Sequence, residues 1–305
     1  MGKSTEECFD KSGHRIHWRH LSIKTSSVIL ILPAAIVMAA VILYPIVTTI
    51  VLSFTDAPLV SRSQPSFMGL TNYLNWLRNP DFWRSLALTL KYTVGVTVGS
   101  YVIGILTALL LNLDFPGRGV LRGLVLIPWA VPEVAAVMVW NWMFDYQYGV
   151  VNSLVNTQVG WIIDASVAPW TVTIVTIWKQ FPLATVILLA GLQAISRSLY
   201  EAAEVDGANT FQKFVHVTLP GLKPVNTVLV LMLILYTFKR ISIVYLLTGG
   251  GPARATEILP ITTYLEAFKY FRLGSSSAVG ILCLILTLII TGVYSVIVKR
   301  GEGNA

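Results

Sequence analysis

The amino-acid sequence predicts an all-α integral membrane protein with six transmembrane helices. Apolar residues make up 55% of its 305 residues, charged residues make up only 12%, and mean hydropathy is +0.70. A soluble domain carries roughly 25% charged residues. Six apolar segments are long enough to cross a bilayer, which takes about 20 residues, and the alternating segments that build a β-barrel are not seen in the sequence. These observations exclude a soluble domain, a disordered chain and a coiled coil.

The first apolar segment, 27–54, follows a basic N-terminal tail. It has no charged residue between Lys24 and Asp56. The apolar region of a signal peptide is only about 7–15 residues long, so this segment is predicted to be a retained helix. The other predicted spans are 92–113, 123–144, 169–195, 221–247 and 273–298, which gives a transmembrane domain of 27–298 between tails at 1–26 and 299–305.

The distribution of Lys and Arg predicts the orientation of the spans. Twelve of the 22 Lys and Arg residues lie in the two tails and in the second and fourth loops, seven lie in the other loops, and three lie inside spans. Because cytoplasmic loops carry the excess of positive charge, both termini are predicted to be cytoplasmic. These basic loops account for the net charge of +7, which therefore does not indicate a nucleic-acid partner.

The fourth loop, 197–220, stands out from the others and is called the cytoplasmic knob below. Ser198 and Glu201 have the spacing of a capping box, which predicts the start of a helix. Gly207 suits the left-handed conformation that ends a helix, and Asn209 is placed to cap a second short helix. The sequence therefore predicts a helix–glycine–helix motif.

Two interpretations of the cytoplasmic knob are open from its residue types. An amphipathic segment could rest on the membrane surface, but interfacial helices usually have a basic polar face. The knob has three acidic residues against one basic residue, Lys213, which suits a protein partner better than anionic lipid. Pro220, at its end, is predicted to begin the fifth span.

The knob resembles the EAA loop, E-A-A-x3-G-x9-I-x-L-P, of the permease subunits of binding-protein-dependent ABC importers. The one departure is Val217 in place of isoleucine. The residues implied to couple to an ATPase are Glu201, Ala202, Ala203, Asp206, Gly207, Leu219 and Pro220. Further stretches resemble the carbohydrate-importer branch, the maltose and glycerol-phosphate kind: Leu43-Tyr44-Pro45, 67–73, Leu126-Ile127-Pro128, Trp140, Ala190-Gly191-Leu192, 205–208, 247–252 and Glu266-Ala267-Phe268.

The resemblance covers about residues 31–298 and implies a type I ABC importer permease fold in a bacterial inner membrane, importing a sugar or sugar-like solute. In that family the EAA loop is a coupling helix that sits on a cytosolic ATPase. The implied partners are two ATPase subunits, a second permease subunit that is usually a different chain, and an extracytoplasmic solute-binding protein. ATP and Mg²⁺ are expected on the ATPase, because this sequence has no G-x-x-x-x-G-K-[ST] phosphate loop. We expect no catalytic residues and no cofactor in this chain.

Two ionisable residues interrupt the predicted spans at a similar depth, Glu133 in the third and Lys179 in the fourth. Ionisable groups inside a membrane are costly and are candidates for function. A Glu133–Lys179 ion pair would make both tolerable, either as a purely structural pair or beside a water-filled path. Pro128 and Pro132 precede Glu133 and are predicted to kink or open the helix.

Lys239 and Arg240 lie in the outer half of the fifth predicted span, where the sequence suggests no acidic partner. Tyr236, Arg240 and Ile243 are spaced to share one helix face. Members of the resembled family often have an acidic residue here. Either the two cations snorkel to the outer headgroups, or they attract an anionic solute such as a sugar phosphate or sulfonate.

Three tryptophans, Trp140, Trp142 and Trp178, suit stacking on sugar rings, and membrane anchoring or packing suits them as well. Trp178 completes the candidate solute path with Tyr236, Glu133, Lys179, Lys239 and Arg240.

Two other classes of function compete with a permease subunit. A stand-alone secondary transporter would favour an internal repeat with broken helices at matching positions, and it would not need the knob. A membrane enzyme would need a nucleophile or a metal cluster, for which the tail histidines His14, His17 and His20 are a weak signal. Cys8 and Cys283 are not expected to form a disulfide framework.

Overall fold

The computed structural model describes residues 23–60 and 64–302, in two units, Met1–Thr49 and Ile50–Ala305. Most of the predicted N-terminal tail, including its three histidines and Cys8, and the end of the C-terminal tail lie outside the described residues.

The first unit is helical. α1, Ile23–Met38, is followed by a π-helical turn, Ala39–Leu43, and by α2, Tyr44–Ser53, whose last residues belong to the second unit. Leu30–Ser53 is a candidate membrane span of 24 residues, as predicted for 27–54. Its large apolar side chains are exposed, which suits a helix surrounded by lipid.

The second unit contains no β-strand within its described residues, only two isolated β-bridges, and it confirms the all-α class. Its helices are α3 (Thr71–Arg78), α4 (Pro80–Asn112), α5 (Arg118–Ala130), α6 (Glu133–Met143), α7 (Val150–Val155), α8 (Ala168–Ala194), α9 (Arg197–Val205), α10 (Thr210–Lys213), a π-helical turn (Phe214–Thr218), α11 (Leu219–Gly221), α12 (Lys223–Phe238), α13 (Ser242–Thr248), α14 (Leu259–Phe268) and α15 (Leu273–Glu302).

Straight helices and bent pairs supply the other candidate spans. The straight ones are Pro80–Asn112, Ala168–Ala194 and Leu273–Val298. α5 and α6 meet at an angle of 93°, and Thr210–Gly221 meets α12 at 71°. Counting each bent pair as one span gives six candidate spans in the part of the chain that the structure describes, the number predicted. In the second pair, Thr210–Gly221 is part of the knob, and α12 begins the span itself.

The second span begins earlier than the sequence predicts, at Pro80. The Asn79 side chain accepts a hydrogen bond from the Asp81 backbone N–H at 2.9 Å, and proline is favoured in the first turn of a helix. Because Asp81, Arg84 and Lys91 are charged, these first turns carry no hydropathy signal.

α4 packs along α8 at the centre of the second unit. Small residues allow this approach: a Cβ atom added to Gly104 would lie 2.7 Å from the Cβ of Ala184. Close contact between small residues is a usual means of packing helices in membranes, where no hydrophobic driving force exists. The pair forms the frame on which the two bent spans are held.

The fifth span differs most from its predicted bounds of 221–247. It begins with α12 at Lys223, and Pro220 lies inside the last turn of the helical segment Thr210–Gly221. α12 ends at Phe238 and α13 begins at Ser242, so the span has a break at 239–241 that the sequence does not signal. Lys239 and Arg240 therefore lie between two helices.

Candidate functional site

The third span breaks where its prolines predict. Val131 and Pro132 are extended, with ψ angles of 133° and 139°, and α6 begins at Glu133. Lys179 of α8 is buried, with 6% of its surface exposed. Its ammonium donates to the carbonyl oxygens of Pro128 at 2.8 Å and Trp129 at 3.0 Å, and also to that of Val131. The break is thus held by a cation from the neighbouring span.

Glu133 forms an ion pair with Arg240, which corrects the predicted Glu133–Lys179 pair. The expectation that Arg240 has no acidic partner is also wrong. The physical reason lies in the two breaks, which sequence spacing does not convey. The first break turns carbonyls toward Lys179, and the second releases Arg240 from helical geometry so that it reaches Glu133.

A cavity of about 330 Å³ lies at these breaks. Its lining residues are Trp129, Ala130, Val131, Pro132, Glu133, Lys179, Gln180, Leu183, Tyr236 and Arg240. Four candidates for the solute path therefore come together: Glu133, Lys179, Tyr236 and Arg240. Ile243 does not share their face, because it packs in an apolar core cluster with Val244 and Val137.

Sequence reasoning missed Gln180, which is buried in the same lining. Its side-chain amide donates to the Thr237 hydroxyl at 3.2 Å and to the Leu233 carbonyl at 3.4 Å, and so links α8 to α12. An uncharged polar residue beside Lys179 in the middle of a span was the available signal.

Two candidates lie apart from the cavity lining. Lys239 is exposed, with its ammonium 5.3 Å from the ring centroid of Tyr236. Trp178 packs edge-on against Trp140 at 5.5 Å, and Trp140 stacks on Phe144 at 5.1 Å. The structure therefore places Trp178 in an aromatic cluster, as the packing interpretation expects.

The knob, residues 197–220, is a helix–glycine–helix motif. Gly207 has φ +76°. Asn209 caps the second helix as predicted, in a capping box with Gln212 whose hydrogen bonds are 2.8 Å and 2.9 Å long. The predicted Ser198–Glu201 box is not formed. α9 begins at Arg197, so Ser198 lies inside the helix rather than at its cap.

Two side-chain contacts join the halves of the knob. Lys213 contacts Glu204 at 2.6 Å, and the hydroxyls of Tyr200 and Thr218 are 3.0 Å apart. The hydrogen bond from Lys213, together with its positive charge, lowers the pKa of the Glu204 carboxyl. The two helices are therefore held as one body.

The outer surface of the knob combines acidic and apolar groups. Val205 is 88% exposed and Phe211 is 74% exposed, while Glu201 and Asp206 are also exposed. A shallow cavity of about 440 Å³ is lined by Leu199, Ala202, Ala203, Asp206, Gly207, Ala208, Gln212, His216 and Val217. Of the predicted coupling residues, Ala202, Ala203, Asp206 and Gly207 line this cavity. Glu201 lies on α9 outside the lining, and Leu219 and Pro220 lie in α11, just before α12.

A second charged centre surrounds Arg254, next to the glycine run 249–251. Arg254 donates two hydrogen bonds to Glu257, at 2.6 and 2.8 Å, and one to Asp81. The hydrogen bonds that Arg254 donates to Glu257, the largest of these effects, raise the pKa of the Arg254 guanidinium. Because every one of these groups has a partner, we interpret this centre as structural.

Two permease proteins are similar to this chain over nearly its whole length. The trehalose/maltose transport system permease protein MalF of Thermococcus litoralis is 38% identical over 273 residues, covering 87% of this chain and 91% of that protein. The sulfoquinovosyl glycerol transport system permease protein SmoG of Agrobacterium fabrum is 34% identical over 289 residues, covering 93% of this chain and 94% of that protein.

The fold is also that of a solved transporter. A chain of a bacterial ABC transporter involved in the import of the acidic polysaccharide alginate superposes with a TM-score of 0.80 at 20% identity, over 93% of this chain and 98% of that one. Residues 100–302 match the family described as binding-protein-dependent transport system inner membrane component. The chain therefore belongs to this family, the permease subunits of ABC importers.

Proposed function

We propose that the chain is one permease subunit of an ATP-driven importer that moves a carbohydrate or carbohydrate-like solute across a bacterial cell membrane. The names of its relatives support the solute class, since both include a sugar transport system. The charge distribution supports an orientation with both termini in the cytoplasm. A stand-alone secondary transporter would have no use for the cytoplasmic knob.

The observation that carries the proposal is the exposed surface of the cytoplasmic knob. Large apolar side chains such as Phe211 and Val205 are exposed there beside acidic groups. Such a surface suits a groove on another protein, because apolar side chains gain by burial there. We assign this surface to a cytosolic ATPase, which binds ATP and Mg²⁺ and whose motion the knob passes to α12.

The cavity between the two breaks is the proposed solute path. Glu133, Lys179 and Arg240 bring one negative and two positive charges to its lining, hence a net charge of +1. This net positive charge favours an anionic sugar derivative over a neutral sugar. The preference is weaker than two unpaired cations would give, since Glu133 already neutralises Arg240. Tyr236 adds a hydroxyl to the lining that can hydrogen-bond to a sugar hydroxyl.

The remaining proposed partners are a second permease subunit, a second copy of the ATPase, and an extracytoplasmic solute-binding protein. These complete an importer, because one permease forms only half of a path.

Reconstitution of the complete importer in proteoliposomes tests the proposal. We expect that sugar uptake requires ATP on the side of the membrane where the knob lies and the binding protein on the opposite side. Titration of that binding protein with maltose and with glucose 6-phosphate tests the solute class. If the binding protein prefers maltose, the proposal of an anionic solute is wrong and the proposal of an importer stands. Uptake without ATP or without the ATPase would contradict the proposal of an importer.

A further inference from the structure

The break in the third span leaves backbone carbonyls that the span itself cannot satisfy. In a continuous helix the carbonyl of residue i accepts from the N–H of residue i+4. For Pro128 that residue is Pro132, which has no N–H. For Trp129 it is Glu133, which begins a helix turned by 93°. Inside a membrane no water is available to an unsatisfied backbone carbonyl, which is therefore costly, so other donors are needed.

Lys179 supplies those donors from another helix. An ammonium group has three N–H donors and no acceptor, and the three contacts of Lys179 go to the carbonyls of Pro128, Trp129 and Val131. The carboxyl end of a helix also carries a partial negative charge that attracts cations. Both effects explain why this lysine is buried without a direct carboxylate contact.

We propose that Lys179 is a positioning residue that stabilises the broken form of the third span, and with it the place of Glu133 at the start of α6. The ammonium replaces the N–H donors that Pro132 and the bend remove. Since its three donors are already engaged, Lys179 acts on the solute path through the backbone, not as a solute ligand. This inference concerns the cavity of the proposed function, and its test uses no solute, so that the two can fail separately.

The test compares thermal unfolding of full-length variants in lipid nanodiscs without solute. We expect Lys179→Met to lower the midpoint by about 5 °C or more, since buried carbonyls lose their donors. Lys179→Arg, which keeps a cation with several N–H donors, should restore most of that loss. Lys91→Met, at an exposed lysine of α4, is the matched control and should leave the midpoint unchanged.

A second site makes the test specific to the break. Pro132→Ala returns an N–H to position 132 and lets the third span continue as a helix, so the loss caused by Lys179→Met should be much smaller in a Pro132→Ala background. If Lys179→Met cannot be purified, the amount of inserted protein becomes the readout, and recovery by Pro132→Ala is expected. An unchanged midpoint in Lys179→Met, or an equal loss in both backgrounds, would overturn the proposal.

Discussion

The carboxylate of Glu133 and the guanidinium of Arg240 join the breaks of two membrane spans. Glu133 is the first residue of α6, directly after the break in the third span, and Arg240 lies in the break between α12 and α13. Their side chains keep 31% and 18% of their surface exposed. The pair therefore ties two discontinuous spans together at the edge of the cavity.

Neutralising one partner of this ion pair should cost more than neutralising both. Glu133→Gln and Arg240→Gln each leave one poorly solvated charge, and we expect each to lower the unfolding free energy by about 2 kcal/mol, less than the roughly 3–5 kcal/mol seen for fully buried pairs. The double variant should lose less than the sum of the two single losses. Thermal unfolding in nanodiscs measures all four proteins, and strictly additive losses would contradict a pair.

The contact between Glu204 and Lys213 should be insensitive to pH across the physiological range. The pKa of Glu204 is lowered in the folded protein, so its contribution is present above the unfolded value, about 4.3, and is lost as pH falls through the lower folded value. Lys213→Met should raise the pKa of Glu204 toward its ordinary value. Carboxyl-carbon NMR of labelled full-length protein, with Glu204→Gln to assign the signal, measures this shift; an unchanged midpoint in Lys213→Met would show that Lys213 is not its cause.

Gly104 should be intolerant of larger side chains because of its contact with α8. A valine there would overlap Ala184, and we expect a loss of about 1–3 kcal/mol from overpacking. Gly123→Val is the matched control in α5, where an added Cβ meets nothing within 4 Å. Denaturant or thermal unfolding distinguishes them, and equal stability of the two variants would show that α4 and α8 do not pack as described.

Cysteine labelling tests the proposed orientation. In a variant without Cys8 and Cys283, a cysteine at Thr157, exposed in the loop between α7 and α8, should react with an impermeant maleimide from outside the cell. A cysteine at Ser198, in the cytoplasmic knob, should react only after permeabilisation. The opposite pattern would invert the topology.

The sequence was sufficient for the class of fold, the number of spans and the break in the third span, because long apolar segments and prolines are local signals. It was also sufficient for the turn of the knob, since Gly207 and Asn209 have conformational preferences that act over a few residues. The charged first turns of α4 were missed, because hydropathy does not distinguish an amphipathic extension from a loop.

The Glu133–Arg240 ion pair in the cavity could not be predicted from the sequence. Glu133 is closer in the chain to Lys179 than to Arg240, and both cations lie at plausible depths, so charge alone favoured the wrong partner. The correct pairing depends on the break at 239–241, where no proline or glycine marks the end of α12. The carbonyls that hold Lys179 carry no side-chain signal at all.

Two substitutions at Gly207 in the reconstituted importer test most directly whether the knob couples ATP hydrolysis to transport. Gly207 has φ +76° and open space around its Cβ position, so only the left-handed backbone restricts its replacement. Asparagine tolerates that conformation and valine does not. If the knob couples the ATPase to the transport path, Gly207→Asn should retain solute-stimulated ATP hydrolysis and uptake, whereas Gly207→Val should insert normally and lose both by about tenfold or more. Normal uptake and stimulated hydrolysis in Gly207→Val would contradict coupling through the knob.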